Sequence, residues 1–259
     1  MRPELDDALL SRIEDAGINA SAPHEQLWLD GWLVRFSPGK AKRARCIQAV
    51  AAGRTSVEAK LERCLALYEK VGLRPCVRVT PFSLPPGLDD SLAELGMERI
   101  DDTRVMVTPL DTGSTPIDDR QGAGDLIERI DGDSFAEWVG EQRGSSPSQR
   151  HAHAERLRAS PVDYRASLLI DSSGAAVAGG QVAIEGDLVG LYDVFTVVAA
   201  RGRGLARTLC QQLLRIARSE GAQTAYLQVE ASNAPARSVY HGLGFVDAYA
   251  YHYRSPPVS

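Results

Sequence analysis

No stretch of this 259-residue sequence approaches the ~18 consecutive apolar residues of a membrane-spanning helix, so no transmembrane segment is expected. The chain also lacks an excess of positive charge. Its 29 Lys and Arg against 34 Asp and Glu leave a formal charge of -5, which argues against a nucleic-acid binder relying on bulk charge. The opening residues, MRPELDDALLSRIEDAG, carry acids where a secretion signal needs an uninterrupted apolar core, and read as an acidic amphipathic helix. Cysteine is scarce and scattered: Cys46, Cys64, Cys76 and Cys210 share no metal-binding or redox spacing and read as small core residues. With no signal peptide, a reducing cytoplasm is the expected compartment. His151 and His153 alternate in a polar segment without a third ligand, so no metal is expected and the pair reads as an exposed helix face. A composition of 44% hydrophobic and 24% charged residues is ordinary for a globular protein able to bury a core.

The length suggests one or two domains. Composition breaks between Thr108 and Gly124, TPLDTGSTPIDDRQGAG, where Pro and Gly replace core formers. Residues 111–124 therefore read as a linker between an N-terminal α+β lobe, 1–110, and a second lobe, 125–259. The second lobe opens on helical spacing in DSFAEWVGEQ and RHAHAERLRA. It continues as three strands, RASLLI, AAVAGGQVAI and LVGLYDVFTV, joined by hairpin-like turns. Leu205, Leu209, Leu213, Ile216 and Ala217 then recur at helical spacing as far as a Gly221 cap. Thr224 to Glu230 alternates, with Ala225, Leu227 and Val229 on one face. Strand, helix and strand in that order make a βαβ unit with parallel strands. A short helix from Pro235 to His241 and a final strand pair between Phe245 and Tyr253 complete the lobe.

Val194 to Arg207, VFTVVAARGRGLAR, sets two glycines and three arginines where a strand hands over to a helix. The first N–H groups of a helix have no internal partner and lie at the positive end of its dipole. Gly202 and Gly204 let a phosphate approach the main chain, and Arg201, Arg203 and Arg207 add charge, so the segment reads as a pyrophosphate cradle. A P-loop would need Gly-Lys-Ser/Thr, and no such lysine is present. A dinucleotide-binding loop wants a small residue where Arg207 stands. The pattern Arg/Gln-x-x-Gly-x-Gly/Ala is met by Arg201-Gly202-Arg203-Gly204-Leu205-Ala206 at every specified position, although a tight turn with surface arginines would look the same.

One strand later comes Asn233-Ala-Pro-Ala-Arg-Ser-Val-Tyr-His-Gly-Leu-Gly-Phe245. With this second motif the sequence resembles the GNAT superfamily of acyl-CoA-dependent N-acetyltransferases, whose signature Asn-x-x-Ala-x-x-Leu/Val-Tyr-x-x-x-Gly-Phe is met by Asn233, Ala236, Val239, Tyr240, Gly244 and Phe245. The resemblance covers residues from about Asp125 onward. It implies an α/β (α+β) fold with a GNAT-like mixed sheet whose central strands splay in the second lobe. It also implies acetyl-CoA as cosubstrate: the pantetheine arm on the backbone of Val194, Phe195 and Thr196, the pyrophosphate on Gly202, Arg203, Gly204, Leu205, Ala206 and Arg207, and Asn233 bonded to the arm. Tyr240 would protonate the departing thiolate. Where some members carry a glutamate base this chain has Gln228, which leaves Asp193 or Glu230, a water chain, or an amine that arrives neutral.

The first lobe has no Gly-x-Gly loop, yet its order echoes the second. Trp28 to Phe36 reads as a strand pair, Cys46 to Val50 as a strand, Thr55 to Val71 as a helix, Cys76 to Thr80 as a strand, Leu88 to Met97 as a worn copy of the Tyr-x-x-x-Gly-Phe helix, and Arg104 to Val107 as a closing strand. This suggests a degenerate GNAT-like half in a tandem arrangement, with Ala51-Ala52-Gly53-Arg54 in place of the phosphate loop. Arg35, Lys40, Lys42, Arg43 and Arg45 form a basic run that reads as a solvated loop; facing the cleft, it would favour an anionic acceptor. The leading expectation is a cytoplasmic acetyltransferase acting on a primary amine of a small molecule or peptide, without nucleic-acid or membrane partners and with oligomerisation left open. A non-catalytic acyl-CoA sensor and a nucleotide-cofactor oxidoreductase are the competing readings.

Overall fold

The computed structural model describes residues 5–110 and 126–257; the expected linker, 111–124, lies outside them. The first half comprises α1 (Asp7–Ala20), β1 (Glu25–Leu29), β2 (Trp32–Phe36), β3 (Ile47–Ala49), α2 (Val57–Lys70), β4 (Val77–Val79), α3 (Leu88–Glu94) and β5 (Glu98–Pro109). The second comprises β6 (Leu126–Ile130), α4 (Gly132–Gln142), α5 (Pro147–Ala159), β7 (Asp163–Ile170), β8 (Ala176–Glu185), β9 (Leu188–Thr196), α6 (Leu205–Ser219), β10 (Thr224–Glu230), α7 (Ala234–Gly242) and β11 (Val246–Ser255). Local chemistry sets many of these boundaries. Asp6 caps α1 by accepting from Leu9 N at 2.6 Å, and Ser146 and Gln149 form a reciprocal capping box ahead of Pro147 at the start of α5. Asp30 and Gly31, both left-handed, make the two-residue turn between β1 and β2.

All eleven strands join one sheet in the order β1-β2-β3-β4-β11-β5-β10-β9-β8-β7-β6. Among the described strands only β3/β4 and β9/β10 are parallel, as each half's βαβ unit requires. The succession β2-β3-α2-β4-α3-β5 is repeated as β8-β9-α6-β10-α7-β11, which is the expected echo. The halves nevertheless exchange their last strands. β5 closes the first half but pairs through residues 103–109 with the whole of β10, while β11 closes the second and lies between β4 and β5.

Alternation along the strands assigns the helices to two faces. Met106 of β5 points into the core under α6, with Leu209 and Leu213, while its neighbours Val105 and Val107 pack with Ile13 and Ala16 of α1. Helix α4 shares the α1 face, where Phe135 and Val139 meet Ala166 and Leu168. Helices α2 and α3 cover the first half on the α6 face. Since α1 packs on residues of both halves, it fastens the junction that the strand exchange creates.

Four details depart from the sequence reading. Leu126–Ile130, to which the sequence reading gave no element, pairs with β7 as an edge strand because its partner's ladder is otherwise open. The final strand pair is one strand, β11, with register irregularities at Asp247/Tyr249 and Tyr251/Tyr253. Thr108 and Pro109 belong to β5 and Leu110 is buried, so the chain leaves the core later than its composition suggests. The basic run is also no solvated loop. Arg35 is buried, Lys42 pairs with Asp101, and Arg43 donates to Gln228 Oε1 at 2.5 Å and Tyr251 O–H at 3.1 Å; Lys40 stays exposed.

Beneath α1, Glu14 and Arg78 form a bidentate pair, with side chains 9% and 1% exposed. Tyr249 donates to Glu14 at 2.7 Å, and the Arg78 guanidinium lies 3.8 Å from the Tyr251 ring centroid. Burial acts to raise the Glu14 carboxyl, but Arg78, Tyr249 and Arg43 together outweigh it and keep the group below its ordinary value. Removing one partner strands the other charge in the core. Glu14→Ala is therefore expected to cost about 3–5 kcal/mol in a urea titration, and a Glu14→Gln/Arg78→Met double variant to recover part of that loss.

Candidate active site

β9 and β10 pair only from Leu188 to Leu191 and from Thr224 to Leu227, then diverge. The cause lies in β9. Between Gln181↔Tyr192 and Gly179↔Phe195, two residues of β9, Asp193 and Val194, stand opposite Gly180 alone. Asp193 takes a φ of 52°, in the left-handed region that Asp tolerates better than most residues. Such a bulge bends its strand, and here it accompanies the turn of Val194–Thr196 away from β10.

The Asp193 carboxylate is fully engaged. Arg143 Nη1 donates to it at 2.5 Å, Gln181 Nε2 donates at 2.8 Å, and His153 Nε2 lies at 3.4 Å. Burial acts to raise this carboxyl, yet His153, Arg143 and Arg156 together hold it well below the usual carboxylate range. A carboxylate so stabilised is a weak proton acceptor, which bears directly on the expectation of Asp193 as base. Glu230 is exposed at the end of β10, and Gln228 is fixed by Arg43 and Tyr251.

The divergence opens a cleft of about 670 Å³. Val194, Phe195 and Thr196 line it from β9; Asn233, Pro235, Val239 and Tyr240 line it from the side of α7. At its end lie Gly202, Gly204, Leu205, Ala206 and Arg207, where α6 begins. Gly204 is the cap residue of α6, and among the described residues no side chain caps its first amides. Both glycines have left-handed φ values, 78° and 79°, and a Cβ on either would point into open space. The result is a concave cradle of backbone at the positive end of a helix, suited in chemistry to a phosphate group. Arg201 lies over the Phe195 ring, Arg207 reaches Gly242 of α7, and Arg203 is exposed on the loop outside the cleft lining.

Asn233 caps α7, its carboxamide oxygen accepting from Ala236 N at 3.2 Å, which leaves the amide nitrogen as a donor. Tyr240 is half-buried against Phe245, and its hydroxyl makes no hydrogen bond among the described residues. Burial pushes the Tyr240 hydroxyl up, so it stays protonated at neutral pH.

A second, smaller pocket of about 260 Å³ adjoins the cleft, and Arg143 lines both. It lies between Ser37–Ala44 of the first half and α4, α5 and Asp193 of the second. His153 lines it with a side chain only 18% exposed, which corrects the reading of an exposed pair; His151, at 70%, does face solvent. Sequence spacing gave no warning of this, because the carboxylate beside His153 is 40 residues away in the chain.

This bulged, splayed βαβ unit, with its glycine cradle and a tyrosine across the cleft, defines a GNAT-type acetyltransferase. A family model described as "Probable histone acetyltransferase Rv0428c C-terminal" matches residues 8–254, and the chain belongs to that family. It is 26% identical over 229 residues to the N-acetyltransferase YobR of Bacillus subtilis, itself described as uncharacterized, covering 86% of this chain and 89% of that one. Among solved structures, a GCN5-related N-acetyltransferase from Kribbella flavida matches with a TM-score of 0.70 at 16% identity over 96% of each chain. A tandem GNAT protein from the clavulanic acid biosynthesis pathway matches with a TM-score of 0.58 at 15% identity, over 78% of this chain and 70% of that one. At these identities the two structures speak for the fold.

The first half fills its own equivalent of the cleft. Asp30 accepts from Arg54 N, Thr55 N and Thr55 Oγ1 at 2.6–2.9 Å, so an internal carboxylate occupies amides at the loop before α2. Gly53 lies so close to Asp30 that a Cβ would collide with it. Leu84 N donates to Ala49 O at 2.9 Å, placing the chain's own backbone at the end of β3. The bonds from Thr55 and Arg54 lower the Asp30 carboxyl to about 2. Because the folded value is depressed, the stabilisation is present above the ordinary value near 4 and lost as pH falls through about 2. Asp30→Asn should lower the urea midpoint at neutral pH, and the gap from the parent should close between about pH 4 and pH 2.

Proposed function

We propose that the protein transfers an acetyl group from acetyl-CoA to a primary amine of a small molecule or peptide, by direct attack of the neutral amine on the thioester. The observation that carries this reading is the cleft between splayed β9 and β10 that ends on the side-chain-free start of α6. On this reading the first amides of α6, with Arg207, bind the pyrophosphate, and Arg203 adds positive charge from the loop outside the cleft lining. The backbone of Val194, Phe195 and Thr196 pairs with the amides of the pantetheine arm as an added strand would, and Asn233 donates to the arm.

The amine nitrogen bonds to the acetyl carbon while N–H groups near Val194 stabilise the developing oxyanion. The carbon–sulfur bond then breaks with its electron pair on sulfur, and Tyr240 gives that thiolate its proton. Asp193, held anionic by its three partners, serves as a positioning residue and not as the base. His153, which leans on Asp193 and lines the adjoining pocket, takes the proton that the amine loses. The second half alone binds the cosubstrate, since the equivalent amides of the first are occupied by Asp30.

Calorimetry is expected to give one acetyl-CoA per chain, and thermal melting to show stabilisation by acetyl-CoA and none by NAD. Gly204→Asp should weaken acetyl-CoA binding well beyond the effect of Gly204→Asn, which fits the same backbone without adding charge. Equal binding by the two variants would remove the phosphate from the start of α6. In an assay of thiol release over a panel of amines, Tyr240→Phe is expected to lower kcat by about 100-fold or more while acetyl-CoA affinity stays within about twofold. A parent protein that binds acetyl-CoA but turns over no amine would make it a sensor.

A further inference from the structure

The pocket beside the cleft carries an unusual balance of charge. Four permanent cations, Lys40, Arg143, Arg150 and Arg156, line it against a single lining carboxylate, Asp193. Arg143 is paired with Asp193, and Arg150 with Glu137 outside the pocket. The other two bond only to neutral acceptors among the described residues. Lys40 Nζ donates to Arg143 O at 2.9 Å, and Arg156 Nη1 donates to Ala20 O at 2.9 Å and lies 3.3 Å from the Tyr164 hydroxyl. Four cations against Asp193 and Glu137 therefore leave the wall an excess of about two positive charges, with Arg156 acting on Asp193 only through space. They are not needed for the diphosphate, which on the reading above lies at the far end of the cleft.

Resting on that reading, we infer that the acceptor is a small primary amine bearing an anionic group, a carboxylate or a phosphate, which Lys40 and Arg156 hold in the pocket between the two halves. Three physical consequences converge. An anion on the acceptor is attracted to the uncompensated cations, whereas a second ammonium is repelled by them. The same cations disfavour the charged form of the reacting amine and so raise its neutral, nucleophilic fraction. A volume of about 260 Å³ suits a molecule of amino-acid size and not an extended peptide. A polycationic acceptor such as a lysine-rich tail is the chemistry that this wall opposes. Specificity is thus shared by the two halves, since Lys40 comes from the loop between β2 and β3 and Arg156 from α5.

The test is a matched set of amines that share one tail length. Values of kcat/KM, corrected for the neutral fraction of each amine, are measured for 4-aminobutyrate, butylamine and putrescine, with phosphoethanolamine against ethanolamine as a second pair and a lysine-rich peptide as a further arm. The expected order is 4-aminobutyrate, then butylamine, then putrescine, with at least tenfold between the extremes. The phosphoethanolamine pair shows whether phosphate substitutes for carboxylate. Lys40 is exposed, so its replacement is not expected to disturb folding, and Lys40→Glu should compress the ratio of 4-aminobutyrate to putrescine at least tenfold. Turnover of putrescine or the lysine-rich peptide above 4-aminobutyrate in the parent overturns the inference and leaves acetyl transfer intact. If no amine is turned over, the transfer reading fails. Calorimetric binding of 4-aminobutyrate then decides the pocket separately: binding lost in Lys40→Glu supports it, and binding absent in the parent or unchanged in the variant overturns it.

Discussion

The site depends on one bent strand. β9 cannot follow β10 past Leu191, because Asp193 and Val194 stand where the ladder has room for one residue. The bulge is held from several directions. Asp193 is left-handed, and its carboxylate binds Arg143 from the end of α4, Gln181 from β8 and, at longer range, His153 from α5. One ionised side chain therefore helps to separate two strands, fixes the wall of the cleft and closes one side of the adjoining pocket. Its low affinity for a proton suits that anchoring role, since protonation would weaken every one of these contacts.

The second constraint is the exchange of final strands. With β5 against β10 and β11 between β4 and β5, neither half completes its sheet with its own chain. Helix α1 and the buried Glu14–Arg78 pair lie over this junction, and Arg43 crosses it to Gln228. The first half is thus built into the second's site, while the amides before α2, its equivalent of the α6 start, are taken up by Asp30. Asp30 does for its loop what a phosphate does at a helix start, because a carboxylate accepting several amide bonds satisfies the same donors. One half keeps those donors open and the other has satisfied them internally.

The parts legible from the chain were those governed by neighbours in sequence. The α6 periodicity, the glycine pair before it, the strand to Glu230 and the motif from Asn233 to Phe245 obey local rules of period and backbone conformation, and each element was found within a few residues of its place. β6 was missed because five edge residues carry too short a pattern to separate strand from helix. The basic run was read as solvated because a count of charges says nothing about Gln228, Tyr251 or Asp101, the distant groups on which that region settles. His153 was misjudged for the same reason.

By itself, the sequence determined most elements of the second half, the glycine-flanked helix start without a capping side chain and the tyrosine two turns beyond Asn233. These follow from backbone sterics and helical repeat, which act over a few residues. Only tertiary structure decided that Asp193 is an anchored anion, that His153 stands beside it and that Lys40 enters the site from 103 residues away. The state and surroundings of a charge depend on every group within a few ångströms, and folding brings those groups together from across the chain.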